Sequence, residues 1–233
     1  MIFNSFSKKA LPFLGSIRRN NNKEWFLLHK KEYEELILNP CRAFVVEMGE
    51  HLQALEPSVK ALPKINGSLF RIYRDTRFSH DKTPIKSRVG IIFWQGQAKR
   101  LQSSSFYLHF SPEELFVAVG IRWFEKSLLD AYREYIKDET KRVELDNILK
   151  NFIKSGYEII PKGYKRYPKG FTKEMPSADM SLYKGVASYK ILQPTLIENG
   201  DKLIDVLYNI YQEMLPLQKW MYEMSLKVKE DNN

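Results

Sequence analysis

The apolar positions of this chain fall into blocks of different period. From about residue 8 to residue 55 they recur every three or four residues, the spacing of one buried helix face. Residues 8–19 read as a short helix, stopped by the polar run Asn20, Asn21, Asn22. Asn21 and Glu24 have the capping-box spacing, in which each side chain satisfies a backbone donor at a helix start, so a second helix is expected from near Asn22. Its inward stripe is Trp25, His29, Tyr33 and Leu36 or Ile37, with Lys23, Lys30, Lys31 and Glu34 outside. Asn39 before Pro40 reads as a cap followed by proline at the first helical position. It opens a third helix with Phe44, Val45, Met48, Leu52 and Leu55 inward. Pro57, Pro63 and Gly67 then break the pattern, and residues 56–67 are expected as a loop.

Between 69 and 121 the period falls towards two, with β-branched and aromatic residues in short runs. Strands are expected over 69–77, 87–94, 103–110 and 115–121, with Gly96 in one connection. Ser111, Pro112, Glu113 and Glu114 form a link suited to a type I turn and a hairpin, the favoured reading, although Ser-Pro-Glu-Glu also reads as a helix start; short links imply antiparallel pairing. The helical period then returns, with Phe124, Leu128, Ala131 or Tyr132, and Tyr135 on one face. Val143, Leu145, Ile148, Leu149 and Phe152 belong to a further helix that Gly156 ends. Residues 161–189, rich in proline, glycine, lysine and tyrosine, read as a long ordered loop with one short strand.

A final helix over 200–227 carries Leu203, Leu207, Ile210, Met214, Leu217, Met221 and Met224 on one stripe, read as core, with Pro216 kinking or splitting it. The expected fold class is therefore α+β. One domain is expected over 1–233: N-terminal helices over 7–55, a mostly antiparallel sheet over 69–121, helices over 124–155, an ordered loop over 156–198 and a C-terminal helix over 200–228.

Composition narrows the function classes. At 233 residues and 43% hydrophobic content the chain can bury a large core. Its net charge of +9, from 37 basic and 28 acidic residues, favours anionic partners. The excess is spread along the chain, whereas nucleic-acid binding wants a coherent stripe. The one cysteine, Cys41, allows no disulfide within the chain. Residues Met1 to Leu14 lack the apolar run of a secretory leader, and no stretch approaches the ~20 apolar residues of a membrane span. A cytoplasmic location without a membrane partner is expected. His29, His51, His80 and His109 are far apart and no HExxH or CxxC spacing occurs, so no metal site is expected. Phosphate-loop and dinucleotide fingerprints are missing, so no cofactor is expected either. Ser181 and Lys184 form an SxxK string without its companion elements, a spacing that chance supplies.

Chemistry concentrates in RIYRDTRFSHDKTPIK, residues 71–86, where Arg71, Arg74, Arg77, Lys82 and Lys86 face only Asp75 and Asp81. On a strand, Arg71, Tyr73, Asp75 and Arg77 share one face, and Phe70, Ile72, Arg74 and Phe78 the other. A guanidinium among apolar side chains must meet a carboxylate or a bound anion, because burying a lone charge costs several kcal/mol. Arg71 and Arg77 flank Asp75 and can hold it in a fork or point past it at a ligand. For acid–base work Asp75, Asp81, His29 and His80 are the available groups, with His29 also readable as a core histidine and His80 as an exposed turn residue.

NNNKEWF with His29 and Tyr33 downstream, then RxxRDxRF followed by DKTP, resembles the family known as domain of unknown function 2461. The likeness extends to Gly120, Arg133, Pro168, Lys169, Gly170 and Phe171. Ile85 departs from it, standing where the family more often has tyrosine. The resemblance implies a single domain and draws attention to the 71–86 block, and it implies no reaction.

Three readings of the block remain. In the first, Arg71, Arg74, Asp75, Arg77, Asp81, Lys82 and Lys86 bind a small phosphorylated or carboxylated molecule. The second is a nucleic-acid module that uses Tyr73, Trp94 and Tyr107 as stacking platforms. In the third the block is an ion-pair lattice of a structural or interaction protein.

Overall fold

The computed structural model describes residues 3–228. The first helix, α1 (Ala10–Arg19), buries Leu11, Phe13, Leu14 and Ile17 and ends where the Asn20 N–H returns to the Ser16 carbonyl. α2 (Lys23–Leu28) is capped by Asn22, whose side chain accepts from the Trp25 N–H at 2.8 Å, and not by Asn21. The helix expected to run on from Asn22 breaks at His29 and restarts as α3 (Lys30–Tyr33). A single wide turn, Glu34–Leu38, then carries the chain into α4 (Asn39–Leu55).

That wide turn replaces the expected cap at Asn39. Proline brings no N–H and its ring crowds the carbonyl four residues back, so a regular helix cannot run through Pro40 undisturbed. Here the Asn39 N–H reaches back five residues to Glu34, and the helical path continues without a stop. The Asn39 side chain instead accepts from the Arg42 guanidinium at 3.3 Å. The break at His29 also moves the buried stripe, which is Phe26, Tyr33, Ile37 and Leu38, while Trp25 and His29 are half-buried and Leu27 and Leu28 exposed.

A two-residue strand, β1 (Val59–Lys60), lies inside the segment expected as a loop. Residues 69–77 form no strand. They are held by isolated antiparallel bridges, Leu69 to Ile91 and Tyr73 to Ile85, because the chain leaves its partner at Arg74 to build a charged tip. β2 (Val89–Gln95), β3 (Ser105–Phe110) and β4 (Leu115–Ile121) follow close to their expected places, with the 111–114 link closing the β3–β4 hairpin. α5 (Lys126–Tyr135) and α6 (Glu139–Lys154) come next, α6 ending before Gly156 at φ +80°.

The ordered loop expected over 156–198 holds two strands, β5 (Glu158–Ile159) and the seven-residue β6 (Val186–Leu192). α7 (Gly200–Glu213) and α8 (Leu215–Ser225) are the two halves of the C-terminal helix, split with Pro216 in the first turn of the second. Every residue of its predicted stripe is buried. The class is α+β, with a six-stranded antiparallel sheet in the order β1-β2-β3-β4-β6-β5. Among the described residues no helix is long and apolar enough to cross a membrane.

The chain clusters into two compact units. The first comprises Met1–Phe93, Tyr107–Val117 and Ile191–Ile210. Its core gathers Phe6, Phe44, Phe93 and Phe110, with Phe6 and Phe110 centroids 4.8 Å apart. The second comprises Trp94–Phe106, Ala118–Lys190 and Tyr211–Asn233. Tyr132, buried between Phe124 and Trp220, is at its centre, and its hydroxyl donates to the Met180 carbonyl at 2.7 Å. Gly120 in β4 has φ +124°, and a Cβ there would lie 2.3 Å from the Val186 carbonyl oxygen, so close strand contact requires glycine.

Candidate functional site

The 71–86 block is a long excursion from the edge of β2 in the first unit. Its two arms pair through Arg74 N–H to Pro84 O at 2.8 Å and Lys86 N–H to Ile72 O at 2.9 Å. Those bonds flank Tyr73 and Ile85, which are therefore a non-hydrogen-bonded pair of an antiparallel ribbon. The N–H and carbonyl of Ile85 point away from Tyr73, and the Asn21 carboxamide takes both, accepting at 3.0 Å and donating at 2.8 Å. Ile72 and Ile85 are buried beneath the arms and anchor them.

Beyond the arms, residues 75–83 close on themselves through charge. Asp75 accepts from Arg77 Nε at 3.0 Å and Nη2 at 2.8 Å, and Arg71 Nη2 stands 3.9 Å away. The Arg77 fork holds the Asp75 carboxyl down at about 2. Asp81 accepts from the Thr83 N–H at 2.9 Å, from the Thr83 hydroxyl at 2.7 Å and from Arg74 Nη1. The Thr83 bonds, aided by Arg74, likewise hold Asp81 at about 2. Lys82 Nζ donates to the Thr76 carbonyl at 3.0 Å and Lys86 Nζ to the Arg71 carbonyl at 2.9 Å.

Arg74 is not enclosed by an apolar face. Phe78, placed beside it by strand alternation, is 94% exposed, because the segment stops being a strand at Arg74. Its guanidinium meets Asp81 and, at 2.8 Å, Thr83 Oγ1. All seven expected ligand residues thus lie on one excursion, but on an open surface, with Arg77 77% and Arg71 54% exposed along their side chains.

Among the described residues, the remaining candidates take no part in these ion pairs. His29 stacks on Trp25 at 3.9 Å and its Nδ1 is 2.8 Å from the Trp25 carbonyl, where α2 ends. His80 is exposed at the tip. Among the described residues no hydrogen bond or ion pair joins either histidine to Asp75. Ser181 is buried and donates to the Ala178 carbonyl, while the Lys184 ammonium lies over the Tyr164 ring, so the SxxK string has no joint geometry. Of the proposed stacking platforms, Trp94 is buried, Tyr107 packs against Phe70, His109 and Phe116, and only Tyr73 is exposed.

Thr83 and Asn21 organise the excursion in ways that the sequence reading does not predict. Thr83 carries an Asp-x-Thr spacing, a local side-chain-to-backbone turn signal that names the partner of Asp81. Asn21, taken there as a helix cap, binds a residue 64 positions away, and no local signal announces that.

The profile of a family described as "Conserved hypothetical protein (DUF2461)" matches residues 9–220. No curated protein matches the chain.

Proposed function

This chain belongs to the DUF2461 family of conserved hypothetical proteins, and on that premise we propose that its 71–86 excursion docks a small phosphorylated or carboxylated molecule. One observation carries the reading. The excursion has five cations and two carboxylates, and both carboxylates are engaged internally, Asp75 by the Arg77 fork and Asp81 by Arg74 and Thr83. Arg71 reaches Asp75 only at 3.9 Å, and Lys82 has a backbone carbonyl as its acceptor. A loop closed by its own ion pairs presents preorganised positive charge, which favours a multiply charged, compact anion. The reading assigns binding and leaves the question of a reaction open.

Thermal unfolding of the full chain in pyrophosphate and in citrate, against sodium chloride of equal ionic strength, tests it. Both anions are expected to raise Tm, and the double variant Arg71→Gln/Lys82→Gln, on exposed side chains, is expected to remove the rise while leaving the unliganded Tm in place. Absence of any rise, or an equal rise in the variant, overturns the proposal. A purely structural role for the block is the second reading, favoured by the Arg74, Asp81 and Thr83 closure. It expects Arg74→Ala to lower Tm with no anion effect in either form.

A further inference from the structure

The second unit carries its own concentration of positive charge. Residues 161–173 hold Lys162, Lys165, Arg166, Lys169 and Lys173 and not one carboxylate. Asp179, downstream, is occupied: it accepts from Lys162 Nζ and from the Tyr167 hydroxyl, each at 2.6 Å. At the centre of this segment is Tyr164. The Arg133 guanidinium, from the last turn of α5, lies 4.8 Å from its ring centroid and the Lys184 ammonium 5.0 Å. Among the described residues neither cation forms an ion pair with a carboxylate, and Arg133 Nε is buried without a hydrogen-bond partner.

Lys184 is held where it is by glycines. Its stem lies against Gly163, where a Cβ would come within 2.4 Å of the Lys184 Cγ. The Lys184 carbonyl accepts from the Phe124 N–H at 2.8 Å, and Gly185 sits so close to Arg122 that a Cβ would lie 2.3 Å from its carbonyl oxygen. The ring quadrupole of one phenol attracts each cation, but it does not cancel two full charges that repel one another. Two cations fixed around a shared platform, with no carboxylate between them, are arranged for a ligand of opposite charge.

We propose that Arg133 and Lys184 form an anion site for a compact phosphate, free or as a monoester, with Tyr164 as the platform that spaces the two cations. A dianion matches two cations, and the guanidinium fork suits phosphate oxygens better than a point charge does. The exposed cations of 165–173 draw such an anion in. Tyr164 already carries both cations on its ring, so it offers phosphate recognition and not base stacking.

The site is independent of the 71–86 proposal, and one titration separates them. Calorimetry on the full chain at constant ionic strength uses inorganic phosphate, glycerol phosphate and a twelve-nucleotide single strand as probes. Arg133→Gln and Lys184→Gln are each expected to weaken phosphate binding roughly tenfold, as loss of one charged partner does. Lys184→Arg, which keeps the charge, should retain binding, and that recovery excludes misfolding as the cause. A phosphate arm stronger than the glycerol phosphate arm assigns the free anion, and the reverse assigns the ester. Undiminished binding in both glutamine variants, loss in Lys184→Arg, or binding of the oligonucleotide alone overturns the inference. If Arg71→Gln/Lys82→Gln alone abolishes phosphate binding, this site fails and the first stands; if only the Arg133 and Lys184 variants do, the first fails.

Discussion

The Asn21 carboxamide holds both backbone groups of Ile85, accepting from its N–H at 3.0 Å and donating to its carbonyl at 2.8 Å. It occupies the place of a neighbouring strand and fixes the base of the charged excursion. Asn21→Ala leaves the N–H and carbonyl of a buried residue unmatched, which costs about 1–3 kcal/mol. Asn22→Ala removes one helix cap, about 1 kcal/mol. Urea unfolding should therefore show the larger loss at position 21, with an unchanged slope. A smaller loss there than at 22 would contradict the assignment.

Acid acts on the tip of the same excursion. Asp75 and Asp81 are held at about 2 in the folded chain, below the ordinary 3.8. A depressed carboxyl stabilises the folded state fully above its unfolded value and loses that contribution as pH falls through the folded value. The window is thus from roughly pH 4 down to roughly pH 2. Tm measured across it should fall, and Asp81→Asn should flatten part of the fall. An identical acid limb in the variant would exclude Asp81 as a contributor.

Arg142 is a buried charge in the second unit. The side chain is 3% exposed and donates from Nε to Pro176 O at 2.6 Å and from Nη1 to Ile136 O at 2.8 Å, with Glu139 3.6 Å from Nη2. Arg142→Met leaves buried carbonyls without donors, a loss of about 3 kcal/mol. Lysine lacks the fork, so Arg142→Lys should recover little of it. Guanidinium chloride midpoints for the three proteins measure this, and a lysine variant as stable as the parent would refute it.

Periodicity alone places most of the elements, because burial of one face leaves its mark every 3.6 or every two residues. Phe44, Val45, Met48 and Leu52, like the stripe from Leu203 to Met224, are core for that reason. It fails where the determinant is not a face. The His29 break and the wide turn before Pro40 answer to backbone hydrogen bonding, and both move side chains that a continuous helix would have buried. β1 and β5 are two residues long, too short to show alternation, and they form because a partner strand is there.

In the candidate site the opposing charges were legible and their pairing was not. Asp75 with Arg71 and Arg77 follows from spacing, whereas Arg74 was assigned to an apolar face that ends before Phe78. Arg142 sits on the buried side of α6 as a charged residue whose hydrogen bonds go to backbone carbonyls, which carry no sequence signal, even though its ion-pair neighbour Glu139 stands at helical spacing.

The strand order puts β1 and β5 at the two edges of the sheet, each only two residues long. An exposed edge strand is a template on which another chain can add, and its hazard grows with the length of its unmatched backbone. Beside β5, the longer β6 continues into Lys190, whose ammonium lies 5.0 Å over the Tyr157 ring and sets a charge next to the short edge. Two-residue edge strands offer an incoming chain little unmatched backbone of their own, which disfavours growth of the sheet from either of them.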